Sequence, residues 1–193
     1  MKLDKEGYLD KDVVSLARGF LGKVLCTNIH GDYCSGIITE TEAYAGITDR
    51  ASHAWGDRRT ERTAPLYRDG GIAYVYLIYG MYSLFNIVTA PAGTPHAILV
   101  RAIRPLEGVD LMMQRRKSKK IRGLSDGPGK LTIAMGIHYS DTGEDLCGSK
   151  IWIENRGTKV DAAKILVGPR VGIDYAGKDA LLPYRFRLSD VDD

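Results

Sequence analysis

Long apolar runs are absent from this 193-residue sequence, and so is the pattern of a signal peptide. No apolar segment reaches the roughly 18 residues that a membrane-spanning helix needs, which argues against an integral membrane protein. The first six residues include two lysines, an aspartate and a glutamate, where a signal peptide has an apolar segment. We therefore expect a cytoplasmic protein with no membrane partner.

Cysteine and histidine are also scarce. The three cysteines are odd in number, none stands in a Cys-x-x-Cys pair, and the four histidines are scattered along the chain. A disulfide framework and a zinc site both need a regular spacing of these residues, so neither is indicated. We expect a reducing compartment and no metal ion.

What the chain contains is close to the average composition of a globular domain. Hydrophobic residues make up 44% and charged residues 26%, which disfavours a disordered or fibrous protein. The length fits a single domain over residues 1–193. The net charge of +3 permits a polyanionic partner without requiring one. Six basic residues and no acidic ones occupy positions 115–122, which indicates either a solvated helix face or a phosphate-binding surface.

Apolar periodicity and turn residues predict an α+β domain built on antiparallel strands. Two hairpins are expected, one from strands at 23–29 and 33–44 and one from strands at 72–78 and 82–89. Helices are expected at 12–21, with Asp10 or Asp12 as its cap, and at 109–120 and 129–137, and further strands at 96–103, 151–154, 164–167 and 184–188. The arginine-rich stretch 45–71 lacks apolar periodicity and is predicted to be a long functional loop.

Tyrosine is concentrated in the second predicted hairpin. Tyr74, Tyr76, Tyr79 and Tyr82 fall within nine positions, and strand alternation places the first two on one face. Tyr79 and Met81 fall near the hairpin tip, and exposed apolar side chains at such a tip are typical of proteins that separate stacked bases. The alternative is an aromatic-rich hairpin buried in the core.

Two carboxylates near the end of the strand at 33–44 are candidates for acid–base chemistry. Glu40 and Glu42 lie two residues apart, so in an extended strand they share one face with Tyr44. A carboxylate beside an aromatic wall can act as a general base with a shifted pKa. Spacing does not choose between the two, and the alternative is a pair of solvent-exposed strand carboxylates.

Eight motifs lie in order along nearly the whole chain. They are Thr41-Glu42-Ala43-Tyr44, Ala51-Ser52-His53, the segment 74–82, Asn86, Leu99-Val100-Arg101-Ala102, Arg104-Pro105-Leu106-Glu107-Gly108, Gly127-Pro128-Gly129-Lys130-Leu131 and Pro169-Arg170-Val171-Gly172. In sequence and spacing they resemble the alkyladenine DNA glycosylase family, the mammalian-type 3-methyladenine DNA glycosylases.

The resemblance implies one DNA glycosylase domain, with a curved and mostly antiparallel sheet, surrounding helices and a protruding β-hairpin, and with no metal and no organic cofactor. It implies a monomer in base-excision repair, bound to double-stranded DNA in the cytoplasm and associated with the nucleoid. The enzyme would flip a damaged purine (3-methyladenine, 7-methylguanine, hypoxanthine or ethenoadenine) out of the duplex and hydrolyse its N-glycosidic bond, leaving an abasic site. No lysine occupies the position of an amine nucleophile, so we expect no lyase activity.

The resemblance also assigns catalytic roles. Glu42 corresponds to the general base that activates a water molecule, and Arg101 and the main-chain carbonyl of Val171 correspond to the groups that position this water. Cleavage of an N-glycosidic bond develops positive charge on the sugar, so a carboxylate can stabilise this charge as well as accept the proton of the water.

For the base pocket, the resemblance places Tyr44 and His53 on one side of the flipped base and Tyr76 on the other side. A cationic alkylated purine stacked on tyrosine gains cation–π attraction that a normal base lacks. Asn86 corresponds to a residue that excludes normal guanine by a clash with its 2-amino group.

Six residues are assigned to DNA binding in the same way. Tyr79 would fill the gap that the flipped base leaves in the duplex, with Met81 and Tyr82 beside it on the hairpin. Contacts to the DNA backbone would come from Arg58, Thr60 and Lys130. These interactions would offset the few kcal/mol that base flipping costs.

Two other functions remain open on the residues alone. A non-catalytic nucleic-acid-binding module could use the same aromatic hairpin and basic face, and would bind without releasing a base. An α+β enzyme for a small metabolite would bury its tyrosines in the core and would have no specific affinity for DNA.

Overall fold

The structure is a computed structural model that describes residues 1–189, so the last four residues of the predicted domain lie outside the described residues. Its strands are β1 (Val24–Ile29), β2 (Asp32–Tyr44), β3 (Ile72–Ile78), β4 (Tyr82–Thr89), β5 (His96–Glu107), β6 (Ile151–Glu154), β7 (Ile165–Gly168) and β8 (Arg185–Leu188). Its α-helices are α1 (Val13–Gly19), α2 (Val109–Arg116) and α3 (Pro128–Met135). The strands form one sheet in the order β3-β4-β5-β2-β1-β6, and β8 pairs with both β2 and β7.

The predicted α+β class with a curved antiparallel sheet is confirmed. Every strand pair is antiparallel, and both predicted hairpins are present. Helix α1 begins after Asp12, which accepts hydrogen bonds from the main-chain N–H groups of Val14 and Ser15 at 3.2 and 3.0 Å. Asp12 and not Asp10 is therefore the cap of this helix.

The β3–β4 hairpin protrudes from the sheet and ends in a tight turn. Tyr79 and Gly80 have φ angles of 52° and 68°, and the N–H of Met81 donates to the carbonyl of Ile78 at 3.2 Å. Positive φ at both central positions matches the turn twist to the twist of the strands. Glycine adopts this conformation without strain, whereas it costs a tyrosine about 1–2 kcal/mol.

Two element boundaries differ from the sequence prediction by four residues, and the others differ by two residues or fewer. Strand β5 continues past residue 103 to Glu107, because a register shift beside Gly36 lets the strand pass through Pro105, which has no N–H to donate. Helix α2 ends at Arg116 and not at residue 120, because Lys117 adopts a left-handed conformation with φ 50°. Only Arg115 and Arg116 of the basic run therefore lie on the helix, so the predicted basic helix face over the whole run is wrong.

The two faces of the sheet are covered by different kinds of structure. Side chains from α1, α2 and α3 pack on one face and form the main apolar core with Val75, Phe85, Ile87 and Val100. The predicted long loop after β2 covers the other face, and it contains three short 3-10 helices, Gly46–Thr48, Trp55–Asp57 and Ala64–Tyr67. The segment before β8 joins this second layer through Ile173 and Ala176, which pack on Ala51.

No helix within residues 1–189 has the length and apolar character needed to cross a membrane. In the same range, no cluster of three or more histidine, cysteine, aspartate or glutamate residues is arranged to hold a metal ion.

Candidate active site

A cavity of about 680 Å³ opens on the loop-covered face of the sheet. This volume lies within the usual range for a pocket that binds a small organic ligand. Its wall includes six of the seven residues that the sequence predicts for catalysis and base binding, namely Tyr44, His53, Tyr76, Asn86, Arg101 and Val171. The seventh, Glu42, lies directly behind three of these wall residues.

Glu42 is fully buried and held by three hydrogen-bond or ion-pair donors. The N–H of Val171 donates to Glu42 Oε1 at 2.8 Å, and Arg101 Nη1 lies 3.3 Å from the same oxygen. The hydroxyl of Tyr44 donates to Glu42 Oε2 at 2.8 Å. A carboxylate offers about four lone-pair positions, so roughly one acceptor position is left for a further donor such as water.

The electrostatics of Glu42 combine two opposing effects. Burial raises the pKa of this carboxyl above its usual 4.5, and the partners Arg101, Val171 and Tyr44 counteract part of that rise. A carboxyl with a raised pKa accepts a proton more readily than a solvated one, which suits a general base. The hydroxyl of Tyr44 keeps its proton, because burial and the adjacent Glu42 raise its pKa.

Glu40 has different partners, which distinguishes it from Glu42. Arg101 Nε and Arg185 Nε each lie 2.7 Å from Glu40 Oε1, so two guanidinium groups share one carboxylate oxygen. Spacing left open which carboxylate is the candidate base. In the structure Glu42 is bonded to the cavity-wall residues Tyr44 and Val171, whereas Glu40 is bonded to Arg101 and Arg185. The alternative of two exposed carboxylates is wrong, since both are buried.

An irregularity in the β2–β5 ladder brings Arg101 to both carboxylates. Glu40 pairs with Ala102 and Thr41 pairs with Val100, so Arg101 is left as an extra residue between two ladder positions. Such bulges re-aim a side chain and are common beside active sites. The far half of β2 is also paired with β8, where Glu42 faces Arg185, so the carboxylates lie in the interior of the sheet.

The aromatic walls are grouped differently from the prediction. The rings of His53 and Tyr76 are in contact, with centroids 4.6 Å apart and planes at 70°, and Tyr74 lies 5.5 Å from Tyr76. His53 thus belongs to the same wall as Tyr76, whereas Tyr44 is held by its bond to Glu42. The predicted pairing of Tyr44 with His53 is wrong because the loop after β2 folds back over β3 and carries His53 to it.

His53 is uncharged at neutral pH. Its Nδ1 lies 2.8 Å from the hydroxyl of Tyr74. Burial, together with the positive charges of Arg62 and Arg58, lowers the pKa of His53 to about 4. The imidazole is therefore an uncharged stacking surface whose orientation is fixed by its hydrogen bond to Tyr74.

Asn86 is a rigid part of the cavity wall. It is 3% exposed, and its Nδ2 donates to the carbonyls of Tyr74 and Leu84 at 3.1 and 3.3 Å. With both amide protons bonded to the main chain, the side chain has one orientation. A fixed group of this kind can reject a ligand by its shape.

The hairpin tip beside the cavity carries exposed apolar side chains. Tyr79, Met81 and Tyr82 are 86%, 67% and 42% exposed, whereas Tyr74 at the base of the hairpin is 3% exposed. The alternative of a hairpin wholly buried in the core is therefore wrong for its tip. Gly129, at the start of α3, packs on Tyr82 so closely that a Cβ there would lie 3.3 Å from the ring.

The three residues predicted to contact the DNA backbone lie at or near the cavity rim, and two of them already have local partners. Lys130 lines the cavity and forms an ion pair with Asp126 at 2.8 Å. Thr60 exchanges hydrogen bonds with Thr63 and so organises the turn of the loop. Arg58 is exposed and contributes positive charge beside His53.

Three charged residues of the site were not singled out from the sequence. Arg62 lies over the ring of Tyr76 at 5.4 Å, and Arg170 lies over the ring of Tyr44 at 4.8 Å, so each of these rings already has a guanidinium on it. Arg170 also pairs with Asp49 in the interior. Arg170 belongs to a motif noted above, but Asp49 stands alone in the sequence, and no local pattern indicates that the two meet.

Comparisons with known proteins identify the family of this chain. A family model described as methylpurine-DNA glycosylase matches residues 7–192. A protein of Desulfitobacterium hafniense (strain Y51) named "Putative 3-methyladenine DNA glycosylase" is 44% identical over 98% of this chain and 96% of its own length. A protein of the same name from Chlamydia felis is 44% identical over 97% of this chain and 96% of its own length. One from Chlamydia abortus is 45% identical over 96% of this chain and 97% of its own length. The chain belongs to the methylpurine-DNA glycosylase family.

Proposed function

We propose that this chain, acting as one domain over residues 1–193, is a monofunctional DNA glycosylase of base-excision repair. It flips an alkylated or deaminated purine out of double-stranded DNA and hydrolyses the N-glycosidic bond. The observation that carries the proposal is the buried carboxylate of Glu42, which is bonded to three residues that line an aromatic-walled cavity. Family membership supports the glycosylase activity.

The nucleophile is a water molecule at the end of the cavity formed by Tyr44, Arg101 and Val171, where Arg101 and the main-chain carbonyl of Val171 position it alongside Glu42. These three residues line the cavity and contact Glu42, so a water among them lies within reach of the carboxylate. Glu42 accepts the proton of the water as the water attacks C1′ of the extruded nucleotide. Its negative charge stabilises the positive charge that develops on the sugar, and Arg101 holds the carboxylate in place.

The damaged base occupies the space between Tyr44 and the wall of His53 and Tyr76. A purine cation such as 3-methyladenine or 7-methylguanine gains cation–π attraction from the tyrosine rings. Neutral His53 adds no repulsion of its own to a cationic base, because its pKa of about 4 leaves it uncharged. Hypoxanthine and ethenoadenine enter the same space, while Asn86 rejects the 2-amino group of guanine.

DNA is held by the exposed hairpin and by the basic rim. Tyr79, with Met81 and Tyr82 beside it, fills the place of the extruded nucleotide, which offsets part of the cost of flipping. Arg58, Thr60 and Lys130 contact phosphates. The protein acts as a monomer in the cytoplasm, associated with the nucleoid.

The test uses duplex oligonucleotides that each carry one lesion, followed by alkaline cleavage at abasic sites. We expect wild-type protein to release each base and to leave the strand intact until alkali is added. Glu42→Gln should slow single-turnover excision by roughly 10²–10⁴-fold, the range for loss of a general base, while lesion DNA remains bound.

The matched control is Glu107→Gln, which changes a half-exposed carboxylate at the far end of β5 and should excise at the wild-type rate. Binding without base release by the wild-type protein would support a non-catalytic nucleic-acid-binding module instead. Strand cleavage without alkali would contradict the absence of lyase activity.

A further inference from the structure

The ion pair of Asp49 and Arg170 lies in the interior beside the cavity, with side chains 2% and 0% exposed. The guanidinium grips the carboxylate with two nitrogens; Nη2 lies 2.9 Å from Asp49 Oδ1, and Nη1 contacts Oδ2. The partners are 121 residues apart in the chain. One comes from the loop after β2, and the other comes from the segment that carries Val171.

The remaining hydrogen bonds of the aspartate organise the start of the loop. Asp49 Oδ2 accepts from the N–H of Ala45 at 3.0 Å, and Oδ1 accepts from the N–H of Ala51 at 3.0 Å. Ala45 follows Tyr44 directly, and Ala51 is two residues before His53. The carboxylate therefore fixes the chain between Tyr44 and His53, which both line the cavity.

One of the remaining hydrogen bonds of the arginine reaches the strand that carries Glu42, and the other reaches the segment before β8. Arg170 Nη1 donates to the carbonyl of Ala43 at 2.8 Å, and Nη2 donates to the carbonyl of Asp179 at 3.1 Å. Ala43 lies between Glu42 and Tyr44 in the chain. Because Val171 follows Arg170, the guanidinium sets where the N–H of Val171 meets Glu42 Oε1.

Stability alone does not account for such a pair. Burying two charges costs several kcal/mol in lost hydration, and well-packed apolar residues are often as stabilising as a buried ion pair. Moreover, the Nε of Arg170 has no hydrogen-bond partner among residues 1–189. What the pair supplies is a directional connection among three segments that all form the site.

We infer that Asp49 and Arg170 are positioning residues of the excision reaction: the pair holds the Val171 segment and the His53-bearing loop at fixed distances from Glu42. This inference rests on the proposed function. It assigns a role in the rate of the chemical step and not in affinity for DNA, because neither side chain is accessible to the duplex.

The experiment compares Asp49→Asn and Arg170→Lys with the wild type. Asp49→Asn removes the charge and keeps an acceptor oxygen, while Arg170→Lys keeps the charge and loses the planar set of donors. Both should bind lesion duplex within about threefold of wild type and excise the base roughly 10- to 100-fold more slowly in single turnover, the range for small misplacements in an active site. Retention of the wild-type rate by both folded variants would overturn the inference, and so would a loss of binding as large as the loss of rate.

The matched control is Arg156→Lys. Arg156 also joins two carboxylates and a tyrosine hydroxyl, those of Glu107, Glu154 and Tyr33. Tyr33 is at the other end of β2, about 30 Å from Glu42 at roughly 3.3 Å per residue. This variant should excise within about threefold of wild type, and an equal slowing in it would count against a local role for Arg170.

A second measurement does not depend on base release. The Glu42 carboxyl is titrated by NMR in protein labelled with ¹³C at the glutamate carboxyl, in wild type and in Asp49→Glu, which keeps the negative charge beside Arg170 and displaces the carboxylate. Loss of the Val171 N–H donor should raise the pKa of Glu42 further, and an unchanged pKa would contradict the inference. If Asp49→Asn does not fold, Asp49→Glu replaces it in the excision assay as well, with the same expected and contradicting results. Wild-type protein that releases no base would refute the proposed function, while the titration still decides the positioning role.

Discussion

The two faces of the sheet are built from the same strands and serve different ends. On the helix-covered face, Phe85, Ile87 and Val100 are fully buried among other apolar side chains. On the loop-covered face, one pleat away, the buried Glu42 and the partly buried Arg101 carry charges that must be paired to be tolerated. The first face stabilises the fold through apolar contact. On the second face, the burial of oriented polar groups lowers the stability of the fold.

The largest expected effect is a loss of stability, without a loss of activity, after a substitution on the helix-covered face. Phe85→Ala opens a cavity in the apolar core and should lower the free energy of unfolding by about 3–5 kcal/mol. The excision rate per folded molecule should stay within about threefold of wild type, because Phe85 faces away from Glu42 across the sheet. Denaturant unfolding and single-turnover excision measure the two quantities. A tenfold slower rate in fully folded protein would show that the faces are coupled.

The next effect concerns the ionisation of Glu42. Burial raises the pKa of this carboxyl above 4.5, so the ionised base is lost on acidification at a higher pH than for a solvated glutamate. Below that pKa, excision should fall about tenfold per pH unit. The measurement is the single-turnover rate with 7-methylguanine, a cationic base whose departure needs no protonation. A midpoint at or below 4.5 would contradict the assignment.

The smallest effect concerns the exposed hairpin tip. Tyr79→Asn removes the ring that fills the duplex and should slow excision roughly tenfold, in line with about 1–3 kcal/mol for stacking on a base. Stability should be unchanged or higher, because asparagine accepts a positive φ more readily than tyrosine. Thermal unfolding measures the stability, and single-turnover excision of 7-methylguanine measures the rate. A lower melting temperature with normal excision would show that the ring of Tyr79 stabilises the fold and does not act in excision.

Features set by short stretches of chain could be predicted from the sequence. The β3–β4 hairpin has the predicted strand bounds, since alternation and the glycine at the tip act over neighbouring residues. Helix α2 and strand β5 were predicted with wrong ends. Lys117 adopts a left-handed cap, and the ladder continues through Pro105 because of the bulge opposite it. In both cases the residues around the observed end of the element do not indicate that end, whereas the apolar pattern indicates a different one.

The sequence alone determined the class of fold, the tyrosine hairpin and the family motifs, because these depend on periodicity and order along the chain. Only the tertiary structure showed how Glu40 and Glu42 differ in their contacts, since their partners come from β5, β8 and the segment of Val171. It also brought together Asp49 and Arg170 and placed His53 beside Tyr76. Such contacts arise from packing between distant segments, and the identity of a buried charge does not reveal which opposite charge will neutralise it.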